Sequence, residues 1–215
     1  KQAGATVVSG DDLVMLPRAQ KNATEIQGFR NAHVRDGVAM VSFLAWWHRE
    51  KNPPTEMLFD EKLRAYRQKQ EGFVEESFPS ICGVGAHGAI IHYRATATTN
   101  STARNEDMVL IDSGGQYRDA TTDITRTLCL GAPTPQQKKH YTLVLKGHVA
   151  LSRAVFPMGT KATELDVLAR MFLWREGLDY AHGTGHGVGS FLGVHEGPQS
   201  IGKPSTRASP NCCRA

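Results

Sequence analysis

Hydrophobic positions between residues 22 and 50 recur at roughly helical spacing. Ile26, Phe29, Met40, Val41, Leu44 and Trp47 form the stripe, with His33 inside it, and such a stripe marks an amphipathic helix. Asn22 or Thr24 supplies its N-cap, and Pro53-Pro54 stops it after about Glu50. His33 is expected in the core or at its rim. A second helix is predicted from Thr55 through Gln70, so charged that it should lie largely exposed. Two short strands follow at 78–82 and 89–93, with Gly83, Gly85 and Gly88 in the turn between them. No Gly-Lys-Ser/Thr follows those glycines, so they form no phosphate loop. Residues 108–112 read as a strand ending in Ser113-Gly114-Gly115, with a partner run at 123–130. Thr134-Pro135 is an N-cap and first-position pair that opens a long helix toward Phe156. Thr163 opens another, with Leu165, Leu168, Ala169, Phe172 and Leu173 as its apolar face and Gly177 as its stop. A loop-rich segment occupies 180–198. Residues 1–21 read as a short strand at 13–16 and a linker at the end of a preceding domain. Residues 202–215 lack apolar periodicity and read as a disordered tail. Helices, then antiparallel strands, then helices, then strand-like sequence predict an α+β fold rather than a doubly wound sheet.

Composition narrows the class. The chain has 215 residues, of which 40% are hydrophobic and 21% charged, enough for one soluble globular domain with a buried core. Its formal net charge of +4 is scattered. Lys138-Lys139, the densest basic cluster, has no interleaved aromatics and reads as a solvated helix face, so no nucleic-acid partner is expected. No apolar run approaches the ~18 residues that span a bilayer, because 38–47 is broken by Ser42 and ends in His48-Arg49-Glu50. The first residues hold no apolar signal segment and no initiator Met, from which a cytoplasmic location and a fragment or processed product are expected. Cys82, Cys129, Cys212 and Cys213 are too few and too irregular for a disulfide framework, and Cys212-Cys213 reads as an incidental pair.

Two aspartates carry the first chemical signal. Asp112 ends one strand and Asp123 begins the next, eleven residues on, so the two can face each other across an antiparallel pair. Carboxylates forced together repel, and either one protonates or a cation sits between them. Oxygen ligation of this kind suits Mn²⁺, Mg²⁺ or Zn²⁺. Asp119, in the connecting turn, is expected to bond its own backbone. The second signal is His182-Gly183-Thr184-Gly185-His186-Gly187-Val188-Gly189, whose glycines let the backbone approach a ligand and argue for a loop or strand edge. His92, His182, His186 and His195 together with the carboxylate pair predict a divalent-metal site. The pattern alone names no reaction.

Four motifs in sequence are more specific. Ile111-Asp112-Ser113-Gly114-Gly115-Gln116-Tyr117, Thr121-Thr122-Asp123-Ile124-Thr125-Arg126-Thr127, His182 to Gly189, and Val194-His195-Glu196-Gly197-Pro198 resemble those of the Xaa-Pro aminopeptidases (aminopeptidase P) of the pita-bread metallopeptidase family. Gly88-Ala89-Ile90-Ile91-His92-Tyr93 fits as well, and the resemblance runs from about residue 10 to 201. It implies a pita-bread catalytic domain over 22–201, incomplete at its C-terminus, within a larger three-domain protein. It implies that Asp112 is a bidentate ligand of one metal, that Asp123 bridges two, and that His186 is the histidine ligand. His92, His182 and His195 then hold the substrate, shuttle protons or stabilise the tetrahedral intermediate, while Glu196 belongs to its motif without ligating. The implied activity is two-metal removal of the N-terminal residue from peptides with proline second. Its implied cofactors are two divalent ions, Mn²⁺ first and Zn²⁺ or Co²⁺ as alternatives. The implied partners are a peptide beginning Xaa-Pro and, for the full-length family member, a second copy in a homodimer. Two further glutamate ligands belong after the Val-His-Glu-Gly-Pro motif, yet Glu196 is the last acidic residue of the chain. A C-terminally truncated and inactive centre is therefore expected. A prolidase-like dipeptidase and a non-catalytic peptide- or protein-binding module of the same fold are the alternative readings.

Overall fold

The computed structural model describes residues 12–203, together with Gly4, Val8 and Gly10. The expectations for 204–215, Cys212 and Cys213 included, lie outside the described residues, as do most of those for the first eleven.

Helix α2 (Ala23–Arg49) begins where the caps predict: the Asn22 side chain accepts from the Glu25 N–H, and the Glu25 carboxylate accepts from the Asn22 N–H. Its buried stripe differs from the expected one. Gly28, Ala32, Asp36, Ala39, Met40, Phe43 and Trp47 face inward, while Ile26 and Val41 are 37% and 65% exposed and His33 lies outside the core. Small residues let this helix lie close to the sheet, and they carry little weight in a hydrophobic pattern. Asp36 counts as polar there, yet it is fully buried.

Helix α3 (Glu56–Arg67) starts at the Thr55 cap as expected, but its charge does not keep it exposed. Glu56 and Arg67, at its two ends, have no solvent exposure at all. Helices α2 and α3 pack together on one face of a three-stranded antiparallel sheet, ordered β1 (Phe73–Val84), β2 (Val109–Tyr117) and β3 (Ile124–Leu128). Met40, Phe43 and Trp47 meet Phe59 and Leu63 over Cys82, Val84, Val109 and Ile111. Trp47 and Phe59 stand edge to face at 4.7 Å. Each such side chain stabilises the fold by roughly 1.5–3 kcal/mol through burial.

Three strand expectations are corrected. Residues 13–16 form no strand: α1 (Met15–Ala19) begins there, with Pro17 tolerated in the first turn, where its missing N–H has no partner to lose. Residues 89–93 form no strand either, because a 3₁₀ turn (Gly85–Ala89) leads into a loop gathered around the Glu56 carboxylate. Strand β2 does not stop at Gly114-Gly115 but runs on to Tyr117. A Cβ on Gly114 would collide with the Thr122 carbonyl and the Ser77 hydroxyl, so glycine here permits close approach rather than a turn.

Helix α4 (Pro135–Ser152) has the expected Thr134 cap and ends four residues before Phe156. It packs against α5 (Ala162–Trp174), which starts just before Thr163, and Gly177 takes the left-handed φ of 68° beyond its end. A two-stranded sheet, β4 (Gly185–Gly187) and β5 (Glu196–Ile201), follows and packs on α5 and α1. Lys138 and Lys139 are exposed, as expected. Among the described residues no helix is long and apolar enough to cross a membrane.

Candidate metal centre

The register of β2 and β3 brings the aspartates together. Asp112 pairs with Thr125 and Ser113 with Ile124. Asp123 lies two residues before Thr125, hence on the same side of the pleat as Asp112, at the diagonal position. The Thr125 hydroxyl donates to Asp112 Oδ1 at 2.8 Å. Val109 and Ile111 point into the helical core, so alternation turns Asp112 to the opposite face. Burial raises the Asp123 pKa above the ordinary carboxylate range, and the Asp112 charge raises it further, while His186 and His195 pull it down. The repulsion expected from spacing is thus present in the fold.

The histidine motif arrives from the second sheet. His186 sits on β4 opposite Ser200 of β5. The neighbouring Gly187 lets β4 approach the Val-His-Glu-Gly-Pro segment, for a Cβ there would strike the Glu196 carbonyl. His186 Nε2 lies 3.4 Å from Asp123 Oδ2, and its ring meets His195 at 4.1 Å and 72°. Its Nδ1 is 2.9 Å from the Gly187 carbonyl, which can only accept. Nδ1 therefore donates to that carbonyl, which fixes the ring orientation and turns Nε2 toward the site. A carboxylate oxygen of Asp123 and the Nε2 of His186 thus face each other. Asp123, His186 and His195 can place one ligand atom each within 4.8 Å of one another. Oxygen and imidazole nitrogen are the donor set of Mn²⁺ and Zn²⁺ sites, so these residues fit a divalent cation.

Two of the predicted histidines stand outside this group. His182 is exposed, packs on Tyr180 at 4.7 Å, and donates from Nδ1 to the Gly183 carbonyl. His92 is exposed in the loop after the 3₁₀ turn, at a left-handed φ of 56°. Glu196 is buried and clasped by Arg18, at 3.0 Å, and by Lys21 of the segment around α1, a structural role. Asp119 does not bond its own backbone but pairs with Arg35. A largely apolar cleft of about 410 Å³, lined by Met108, Leu128, Cys129, Pro133 and Tyr141, lies at the other end of β3 from Asp123.

Two buried arginines escaped the pattern reading. Arg170 of α5 donates to Asp166, Asp179 and the carbonyls of Tyr180 and His182, and stacks 3.7 Å over the Tyr180 ring. It thereby fixes the loop that leads into β4. Arg67 pairs with Asp36 beneath β2. An aspartate inside an apolar stripe was the available signal for the second, while the first had none beyond the i, i+4 Asp166–Arg170 spacing.

Known proteins align with this arrangement. The chain matches metallopeptidase family M24 over residues 27–213. A probable Xaa-Pro aminopeptidase P of Arthroderma otae is 52% identical over 189 residues, 86% of this chain and 30% of that protein. Xaa-Pro aminopeptidase 1 of Dictyostelium discoideum is also 52% identical, over 87% of this chain and 31% of its own length. The chain thus spans about 30% of these relatives. Among solved structures, X-prolyl aminopeptidase of Caenorhabditis elegans, described as a cytosolic enzyme with a di-nuclear active site, superimposes with a TM-score of 0.86 at 44% identity, over 93% of this chain and 34% of that one. Prolidase from Pyrococcus furiosus gives 0.78 at 26%, over 93% and 58%. The α+β architecture is accordingly the pita-bread one expected from the motifs. With the family match spanning most of the chain, and the motif residues Asp123, His186 and His195 meeting at one cluster with Asp112 beside Asp123, the protein belongs to metallopeptidase family M24.

Proposed function

We propose that the chain supplies the aspartate-and-histidine part of a two-metal centre that releases the N-terminal residue from peptides with proline in second place. The observation that carries this reading is the meeting of Asp123 with Asp112, His186 and His195, from two separate sheets, with carboxylate oxygens and imidazole nitrogens facing one another. Asp112 and Asp123 would hold the ions through carboxylate oxygens, with Asp123 the ligand common to both, and His186 would hold one through Nε2. Divalent ions held there supply Lewis acidity and lower the pKa of water, which hydrolysis of a peptide bond requires. Mn²⁺ is the proposed ion, since the set is rich in carboxylate. His195, edge-on to His186, is assigned a hydrogen bond to the substrate carbonyl as negative charge develops on its oxygen. His92 and His182 are assigned to holding the substrate and moving its protons.

Identities of 50–52% to Xaa-Pro aminopeptidases against 26% to a prolidase favour the aminopeptidase over the dipeptidase. Retention of both carboxylates and His186 favours the enzyme over a non-catalytic module. The solved neighbour's description as cytosolic supports a cytoplasmic location. The chain spans about 30% of its relatives' length and holds no acidic residue after Glu196, so this activity is proposed for the whole protein. The 215-residue chain alone is expected to bind Mn²⁺ without turning over an Xaa-Pro peptide. Isothermal calorimetry with Mn²⁺ tests the reading: heat of binding in the wild type and none in Asp123→Asn is the expected result. A wild-type chain that ignores Mn²⁺ at millimolar concentration overturns it.

A further inference from the structure

We infer that the buried Asp36–Arg67 ion pair is a positioning device that sets the spacing of Asp112 and Asp123 from behind the sheet. This rests on the two carboxylates being the metal-binding groups. Both members of the pair are wholly inaccessible to solvent. Arg67 Nε donates to Asp36 Oδ1 at 2.7 Å and Arg67 Nη2 to Oδ2 at 3.2 Å. Two other hydroxyls converge on the same carboxylate: Tyr117 donates to Oδ1 at 3.0 Å, and Thr122 donates to Oδ2 at 2.8 Å. Arg67 Nη2 also donates to the Ser113 hydroxyl at 3.1 Å.

The ends of this network are its informative part. Ser113 directly follows Asp112, and Thr122 directly precedes Asp123. Successive residues of extended chain point to opposite faces, so the residue behind each metal-facing carboxylate is tied to one ion pair. The Thr122 hydroxyl also accepts from the Gly115 N–H at 2.9 Å, which locks the turn into Asp123 against β2. Two carboxylates that repel across a strand pair tend to spread apart. A tie from the back of each to a common, rigid anchor opposes that spreading before a cation arrives.

Stability alone does not account for the pair. Buried ion pairs contribute little net stability, because desolvation offsets the attraction. Among the described residues, the buried Arg67 Nη1 has no hydrogen-bond partner. Directional ties to Ser113 and Thr122 are what a guanidinium–carboxylate pair supplies and an apolar filling would not.

The test cuts the ties and leaves the pair in place. Ser113→Ala combined with Thr122→Val keeps size and burial near those of the wild type. Mn²⁺ affinity is measured by calorimetry on the 215-residue chain, the visible absorption of the Co²⁺-loaded chain reports ligand geometry, and thermal unfolding without metal reports the fold. The expected result is a loss of about 10- to 100-fold in Mn²⁺ affinity with altered Co²⁺ bands. Thr122→Ser, which keeps the hydroxyl, should bind as the wild type does. If the double variant does not fold, Ser113→Ala alone should show the smaller loss and the same spectral change. Wild-type affinity and an unchanged Co²⁺ spectrum in the folded variants overturn the inference while leaving the metal reading intact. A wild-type chain that binds neither ion removes the metal reading itself, and the inference with it.

Discussion

Glu56→Gln isolates what one buried carboxylate does for the loop that carries His92. Glu56 has no solvent exposure, and each of its oxygens serves two donors. Oε1 accepts from the Val84 N–H and from His87 Nδ1, both at 2.8 Å. Oε2 accepts from the Tyr93 hydroxyl at 2.8 Å and the Ser101 N–H at 2.9 Å. Glutamine keeps the length but turns one acceptor into a donor. A hydroxyl or an imidazole can reorient or change tautomer; a backbone N–H cannot. Either orientation of the amide therefore leaves Val84 or Ser101 without an acceptor, at about 1–3 kcal/mol. The two bonds that remain lose their charge, about 1 kcal/mol each. The expected loss is roughly 3–5 kcal/mol, a fall in Tm of roughly 6–20 °C for a chain of this size.

The effect has a sign in pH. Burial opposes ionisation of Glu56, but the bonds from Val84, Ser101, His87 and Tyr93 outweigh it and hold its pKa below the ordinary 4.5. A carboxylate whose pKa is lowered by folding contributes stability that is fully present above the unfolded value and is lost as pH falls through the folded one. Urea unfolding of wild type and Glu56→Gln from pH 7 to pH 3 should therefore give two curves that run parallel above about pH 5 and converge in acid. A loss under about 1 kcal/mol at pH 7, or a gap that stays constant down to pH 3, would refute the reasoning.

Other substitutions separate function from stability. Asp123→Asn removes a carboxylate whose pKa is raised by burial and by Asp112, and whose ionised form therefore strains the fold above its folded pKa. The metal-free variant should melt higher than wild type at pH 7, lose that advantage below the ordinary value of 3.8, and show no Mn²⁺-dependent rise in Tm. Arg170→Lys cannot reproduce a fork that reaches two carboxylates and two carbonyls. It should destabilise by about 2–3 kcal/mol, with faster amide exchange at residues 180–187 read by hydrogen–deuterium mass spectrometry. Phe59→Ala opens a cavity beneath Trp47 and Phe43, and chemical denaturation should show a loss of about 3–5 kcal/mol.

The sequence by itself determined the parts whose physics is local. Asn22, Thr55 and Thr134 were legible as caps because each bonds the backbone three residues on. Asp112 and Asp123 were legible as a facing pair because strand alternation and a short connection leave them little else to do. The motif order identified the family before any contact was known. The tertiary structure alone decided which polar residues lie inside. Asp36, Glu56, Arg67 and Arg170 look like surface charges in a linear pattern, and each is buried because its partners come from elements far away in sequence or from a loop folded back on it. Tertiary structure also decided that residues 89–93 bend around Glu56 instead of forming a ladder, and that His186 and His195 join Asp123 while His92 and His182 do not. Those outcomes depend on the register between separate sheets and on desolvated hydrogen bonds, and neither quantity can be computed from spacing along one chain.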